Sequence, residues 1–218
     1  MSHRLEVDSV ILEFNNKRVL SDIYLKSETG KVTGILGRNG SGKTSLMNII
    51  FGELNPINKS VRIDNKTLLG SRRNQKDINY LPQYNIVPDN YTFTKVINDF
   101  DLNIHQFIEL FPEFEKLSSV KFRELSGGMK RILEIYVILK SKAKFSMLDE
   151  PFSHIMPKHV KTIKGLIVEV SKTKGVIITD HLYNDILEIS NEIYLLNNGK
   201  ISKIEDYHDL QKKGYINT

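Results

Sequence analysis

The 218-residue chain contains no cysteine. Disulfides, thiolate zinc sites and thiol nucleophiles are thereby excluded, which fits a reducing compartment. No apolar stretch approaches the roughly 18 residues that a membrane-spanning helix needs. The N-terminal MSHRLEVDSVILEF alternates polar and apolar residues and has no secretory apolar core. The expected location is therefore the cytoplasm. Internal repeats, low-complexity tracts and Pro/Gly linkers are also missing, so a single domain over 1–218 is expected rather than a split into two. What remains is ordinary globular usage, 40% hydrophobic and 26% charged. A chain this long buries a sizeable core. The formal net charge of +5 permits an anionic partner such as nucleic acid or a membrane surface, and equally fits scattered solvated lysines.

The first third reads as strands. Leu5, Val7, Val10, Leu12 and Phe14 mark a half-buried opening strand; Ile23–Leu25 and Val32–Leu36 follow, with Gly30 in the turn between them. Ser45–Phe51 reads as a helix. In the second half, helix and strand alternate. Ile132–Leu139 is apolar nearly all round, as a buried helix is. Phe145–Leu148, Gly175–Ile178 and Ile193–Leu196 are short buried strands. Val160, Ile163, Ile167 and Val170 line one face of a helix, with Lys158, Lys161 and Lys164 on another. Asn198-Gly199 predicts a tight hairpin. This alternation implies an α/β fold with a parallel-cored sheet. Residues 84–125 differ: they hold Tyr84, Tyr91, Phe93, Phe100, Phe107, Phe111, Phe114 and Phe122 and no convincing buried strand. A mainly helical lobe is expected there, its rings serving either as lobe core or as exposed anchors.

Three motifs carry chemistry. Gly37-Arg38-Asn39-Gly40-Ser41-Gly42-Lys43-Thr44 fits GxxxxGK[ST], follows a buried strand and opens a helix. Glycines let backbone N–H groups converge on phosphate oxygens, and the helix N-terminus adds partial positive charge. The nucleotide-binding candidates are Gly37, Asn39, Gly40, Ser41, Gly42, Lys43, Thr44 and Ser45. Lys43 is expected to face the β- and γ-phosphates rather than the core, and Thr44 to ligand Mg²⁺. Phe145-Ser146-Met147-Leu148-Asp149-Glu150 delivers two carboxylates at a strand's C-terminal end, where open α/β sheets place ligands. Asp149 suits Mg²⁺ through water, and Glu150 suits a base that activates the attacking water. Leu125-Ser126-Gly127-Gly128-Met129-Lys130-Arg131 stands just before the apolar helix and forms either a second anion-binding surface or an ordinary N-cap.

In this order, with a lone Gln83 and with His181 after a strand, the motifs resemble the ATPase subunit of an ABC transporter. The resemblance extends over essentially the whole chain. It implies a P-loop NTPase core with a mostly parallel sheet, an antiparallel β subdomain and a helical lobe at about 84–140. It implies that Phe14 stacks on adenine, and that Gln83 senses Mg²⁺ and the γ-phosphate. It implies that Ser126, Gly127 and Gly128 close on the ATP of an opposite subunit, and that His181 is a switch histidine. Glu150, His181 and Lys43 are then the catalytic set. The stretches DEPF and ITDH are similar to the group containing the lipopolysaccharide-export and branched-chain amino-acid ATPases.

The same resemblance implies a head-to-tail dimer, expected to be a homodimer, that hydrolyses ATP with Mg²⁺. It would drive a separate integral membrane permease from the inner face of the membrane, with no nucleic acid involved. Tyr84, Ile86, Val87, Tyr91 and Phe93 are the expected docking anchors for that permease. Two positions depart from the family pattern. Met129 stands where glutamine is usual, and Met156 where an aspartate usually stands in a dimer-interface loop. A thioether accepts no hydrogen bond as a carboxylate does. Two alternatives stay open: a soluble non-transport ABC ATPase, and a low-turnover regulatory ATP-binding subunit.

Overall fold

Alternation along β1 (Arg4–Phe14) buries Leu5, Val7, Val10 and Leu12 on one face in the computed structural model, which describes residues 2–68 and 76–216. Asn15 and Asn16, at φ 47° and 63°, turn the chain into β2 (Lys17–Glu28), antiparallel to β1. Asparagine tolerates that region better than most residues. β3 (Val32–Leu36) is buried throughout and runs into the glycine-rich segment that opens α1 (Lys43–Phe51). β4 (Asn58–Ile63) and the two-residue β5 (Lys66–Thr67) complete an antiparallel sheet in the order β2-β1-β4-β5.

β6 (Ile78–Leu81) begins the second sheet's other edge. Then come α2 (Phe93–Asp99) and α3 (Ile104–Leu110), capped by the side chains of Thr92 and Asn103. Two 3₁₀ turns, Pro112–Leu117 and Phe122–Glu124, lead to α4 (Gly127–Lys140), capped by Ser126. β7 (Phe145–Asp149), α5 (Pro157–Ser171), β8 (Gly175–Thr179), α6 (Tyr183–Ile189) and β9 (Glu192–Asn197) come next. Asn198-Gly199, at φ 48° and 72°, makes the expected hairpin to β10 (Lys200–Ile204), and α7 (Tyr207–Lys212) comes last.

The second sheet runs β10-β9-β3-β8-β7-β6, parallel except for β10. Its register aligns the strand ends: Ile35 and Asp149 both pair with Thr179, and Leu81 with Leu148. The phosphate-loop candidate, Gln83, Glu150 and His181 therefore all emerge at one edge.

Successive residues of the parallel strands feed two cores. Ile35, Met147 and Ile177 pack with α1 and the antiparallel sheet; Leu36, Leu148 and Ile178 pack with α4, α5 and the helical lobe. Within the lobe, Phe93, Phe107, Phe111, Phe114 and Phe122 are fully buried. Phe107 meets Phe114 edge-on at 4.8 Å and Tyr136 of α4 at 4.8 Å. These rings are lobe core. Phe93 is thus removed from the expected docking anchors, because it is spent on that core, whereas Tyr84 is 64% exposed. α4 belongs to lobe and body alike: Tyr136 joins the ring cluster, and the helix also packs on α5, β6 and β7.

Lys174 is buried at the foot of this sheet, where its ammonium donates to Ser141 O and Ser146 Oγ. Burial, helped by Lys140, pushes its pKa from 10.5 down to about 8. Between those values the unfolded chain holds a proton that the folded chain lacks, so this residue makes stability rise with pH through that window. Urea unfolding at roughly pH 7 and pH 9.5 should show that rise, and Lys174→Met should flatten it.

Candidate functional site

The segment from Gly37 to Thr44 leaves β3 at the aligned edge and wraps the start of α1. Gly42 sits at φ 104°, and a Cβ there would meet Leu20 at 3.0 Å. A Cβ on Gly37 would stand 2.5 Å from Ser41 Oγ and 2.7 Å from Leu196 O. Both positions need glycine for space, and Gly42 for conformation as well. Ser41 Oγ is buried without a hydrogen-bond partner, and the first turn of α1 holds no acid. A cradle of N–H groups with an unspent hydroxyl and no acid in that turn fits a polyphosphate.

Lys43 lines the cleft with its stem buried. It is only 5% exposed, and its ammonium donates to Gly37 O at 2.8 Å and Arg38 O at 3.4 Å. The loop's own carbonyls are its acceptors, so the stem lies buried while the residue still lines the cleft. Burial lowers its pKa, against the pull of Glu150, Asp149 and Asp180. The cleft, about 480 Å³, is closed on one side by Phe14 and Val19 and on another by Gln83 and Glu150. Phe14 ends β1 and is 48% exposed, which leaves its face free to stack.

The two acids of the β7 end differ in environment. Asp149 is fully buried; its carboxylate accepts from Thr179 Oγ1 at 2.5 Å and from the Tyr80 hydroxyl at 3.3 Å. Burial, then that carboxylate, pushes the Tyr80 phenol far above its ordinary range. Asp149 therefore sits behind the cleft rather than in its lining. Glu150 adopts φ 49°, and its amide donates to Thr179 O at 2.9 Å. This conformation costs an L-residue about 1–2 kcal/mol and turns the carboxylate into the cleft. Gln83 Nε2 donates to Thr44 Oγ1 at 3.0 Å. His181 Nδ1 lies 3.4 Å from Asp180 Oδ1 and 4.0 Å from Glu150 Oε2.

The structure thus gathers Phe14, the Asn39–Ser45 stretch, Gln83 and Glu150 around one cleft, with His181 at its margin. Ser126, Gly127 and Gly128 do not line it. Ser126 Oγ accepts from Met129 N at 3.3 Å as the cap of α4, and Gly127 lines a neighbouring cleft with Gln83, Glu150 and His154. A hydroxyl, a carboxamide and a carboxylate are hard oxygen donors, and with substrate phosphates they suit Mg²⁺. Among the described residues no cluster of three or more His, Asp or Glu could hold a metal. Sequence reasoning gave no role to Arg131, the last residue of the third motif, or to Glu134; both are buried on α4. Charges inside a buried stretch need partners, and that mismatch was the available signal.

The ABC transporter family model matches residues 20–153. The lipopolysaccharide export system ATP-binding protein LptB of Escherichia coli (strain K12) is 32% identical over 204 residues, covering 86% of this chain and 84% of that protein. The ABC transporter ATP-binding protein YtrB of Bacillus subtilis (strain 168) is 27% identical, over 97% and 75%. A solved ATP-binding subunit of an ABC transporter superposes with a TM-score of 0.80 at 21% identity, over 97% of this chain and 93% of that one. This last likeness concerns the fold.

Met156 is 54% exposed and is the N-cap of α5, where its side chain makes no capping bond ahead of Pro157. Met156→Asp supplies an acceptor for that helix start. It should raise stability by about 1 kcal/mol, read as a higher denaturant midpoint at an unchanged slope.

Proposed function

The chain belongs to the ABC transporter family, and on that premise we propose that it is the ATP-hydrolysing subunit of a transporter whose membrane-spanning part is a separate permease. It is an ATPase of that family; the permease, the dimer and the residue roles below are the further content of the proposal. Among the described residues no helix is long and apolar enough to cross a membrane. That agrees with a subunit attached peripherally, on the cytoplasmic face. The observation that carries the proposal is the single cleft holding Phe14, the phosphate loop, Gln83 and Glu150. Residues 1–218 would act as one ATP-binding domain with a helical lobe at about 84–140.

In the proposed cycle Phe14 stacks on adenine, and the amides from Asn39 to Ser45 hold the phosphates. Lys43 exchanges the loop carbonyls for β- and γ-phosphate oxygens, a swap of one set of acceptors for another with more charge. Thr44 and Gln83 would hold Mg²⁺, which supplies charge neutralisation at the phosphates. Asp149, pinned by Thr179 and Tyr80, fixes the floor behind them. Glu150 takes a proton from the attacking water, and His181 holds the γ-phosphate side of the cleft. Ser126–Gly128 do not line this cleft in the same chain. Their place is over the ATP of a second copy, closing head to tail.

Two substitutions test the site. Lys43→Ala should lose ATP affinity while the chain stays folded, checked by nucleotide titration beside thermal unfolding. Glu150→Gln should keep ATP affinity and slow phosphate release by roughly 10²–10⁴-fold. Full turnover by that variant would reassign the base.

The permease would dock on the lobe side of Gln83. There a mostly apolar groove is lined by Ile86, Val87, Pro88, Tyr91, Val96 and Phe100, with Asp99 at it and the exposed Tyr84 nearby in the chain. Replacing both Tyr84 and Tyr91 by serine should release the chain from membranes and leave basal ATP hydrolysis intact. Retained membrane association with lost hydrolysis would assign these rings to the fold instead.

A further inference from the structure

Arg131–Leu139 is a run of buried residues in α4, and only Arg131 and Glu134 in it carry charge. They stand three apart and so share a face of the helix. Neither is spent on the other. Arg131 Nη1 donates to Pro82 O at 2.6 Å, and Nη2 donates to Asp149 O at 2.6 Å and Glu150 O at 3.3 Å. Glu134 Oε1 accepts from the amides of Ile86 at 2.7 Å and Val87 at 3.2 Å, while its Oε2 has no partner. One helix therefore holds the main chain just before Gln83, just after it, and at Glu150.

Pro82, Ile86, Val87 and Glu150 lie beyond the strand ends, where no ladder fixes the chain, and Asp149 is the last residue of β7. Glu150 is in addition at φ 49°, a conformation that persists only where surroundings over-determine it. Its amide is tied to Thr179 O from one side. Arg131 ties the carbonyls on the other. A planar guanidinium can serve two separate carbonyl groups at once, which an ammonium or a neutral side chain of the same length cannot do as well. The phosphate loop takes no part in this brace.

We propose that Arg131 is a positioning residue for Glu150 and Gln83, and that with Glu134 it makes α4 a strut joining the segment around Gln83 to the β7 end. The proposal rests on Glu150 being the base. Burial disfavours the charged form of both side chains, lowering the Arg131 pKa and raising that of Glu134. Such charges are retained at a cost, in keeping with a positioning role.

Arg131→Met should lower kcat for ATP hydrolysis by about 10–100-fold, the size of effect that small misplacements produce. KM for ATP should stay within about threefold, because the phosphate loop is untouched. Arg131→Lys should recover part of the loss. A double-mutant cycle then separates positioning from general damage. In a Glu150→Gln background the Arg131 substitution should cost little further kcat, since no base remains to be positioned. Glu134→Ala should speed amide exchange at Ile86 and Val87, and Glu134→Gln should not, because one carboxamide oxygen replaces the oxygen in use. An equal kcat loss in both backgrounds, or a raised KM with kcat unchanged, would overturn the proposal. Should Arg131→Met fail to fold, Arg131→Lys enters the same cycle with the same criteria. Full turnover by Glu150→Gln alone would remove the premise instead, and is read from that single variant.

Discussion

Parallel pairing in one register is the constraint on which the rest depends. Ile35 and Asp149 stand opposite Thr179, and Leu81 opposite Leu148, so four segments leave the sheet at one level. A slip of one residue would turn every side chain of a strand to the other face. It would also carry the phosphate loop or Glu150 about 3.3 Å along the sheet, more than a hydrogen bond can absorb. The Asp149–Thr179 hydrogen bond guards against this. It is a polar pair within a mostly apolar sheet, and it can form in only one register.

Around that edge the interior breaks its own rules. Lys43, Arg131, Glu134, Asp149 and Asp180 are all buried. Lys43, Arg131 and Glu134 are held by main-chain groups, Asp149 by hydroxyls, and Asp180 by the Leu182 amide on one oxygen. Main-chain partners fix a charged side chain to a particular stretch of backbone rather than to a mobile counter-ion. Such exceptions to apolar packing gather where a fold has work to do. The positive φ of Glu150 belongs to the same pattern: local cost at a site held by its neighbours.

Much of this was legible in the residues. β3, β7, β8 and β9 announce themselves as short apolar runs, because strands covered on both faces have no polar side. The phosphate-loop spacing ties glycine, lysine and threonine to a strand end, and the structure places them there. Other features depend on partners far along the chain and could not be read. β6 has only four residues and β4 alternates among polar side chains, so neither presents a clear period. Phe93 looks like an anchor in a seven-residue helix until Phe107 and Phe114 are known to enclose it. That the Lys43 ammonium rests on the loop carbonyls could not be read from the motif either. Arg131 ends the third motif without a visible role, and Glu134 vanishes inside a helix read as apolar nearly all round, since their partners lie on Pro82, Ile86 and Glu150.

The order of the strands in the central sheet also sets an order in time. The lobe's ring cluster closes within Phe93–Tyr136, from contacts near one another in the chain. β3 pairs with β8 and β9 instead, so its ladder must wait until Gly175–Asn197 has been synthesised. Through that interval a mostly apolar strand, buried throughout in the fold, is unpaired on both edges, the condition under which chains associate wrongly. β1, β2 and α1 are made in the same early stretch and can shield one of its faces. The nucleotide cleft, though encoded largely near the N-terminus, is among the last parts of the molecule to exist.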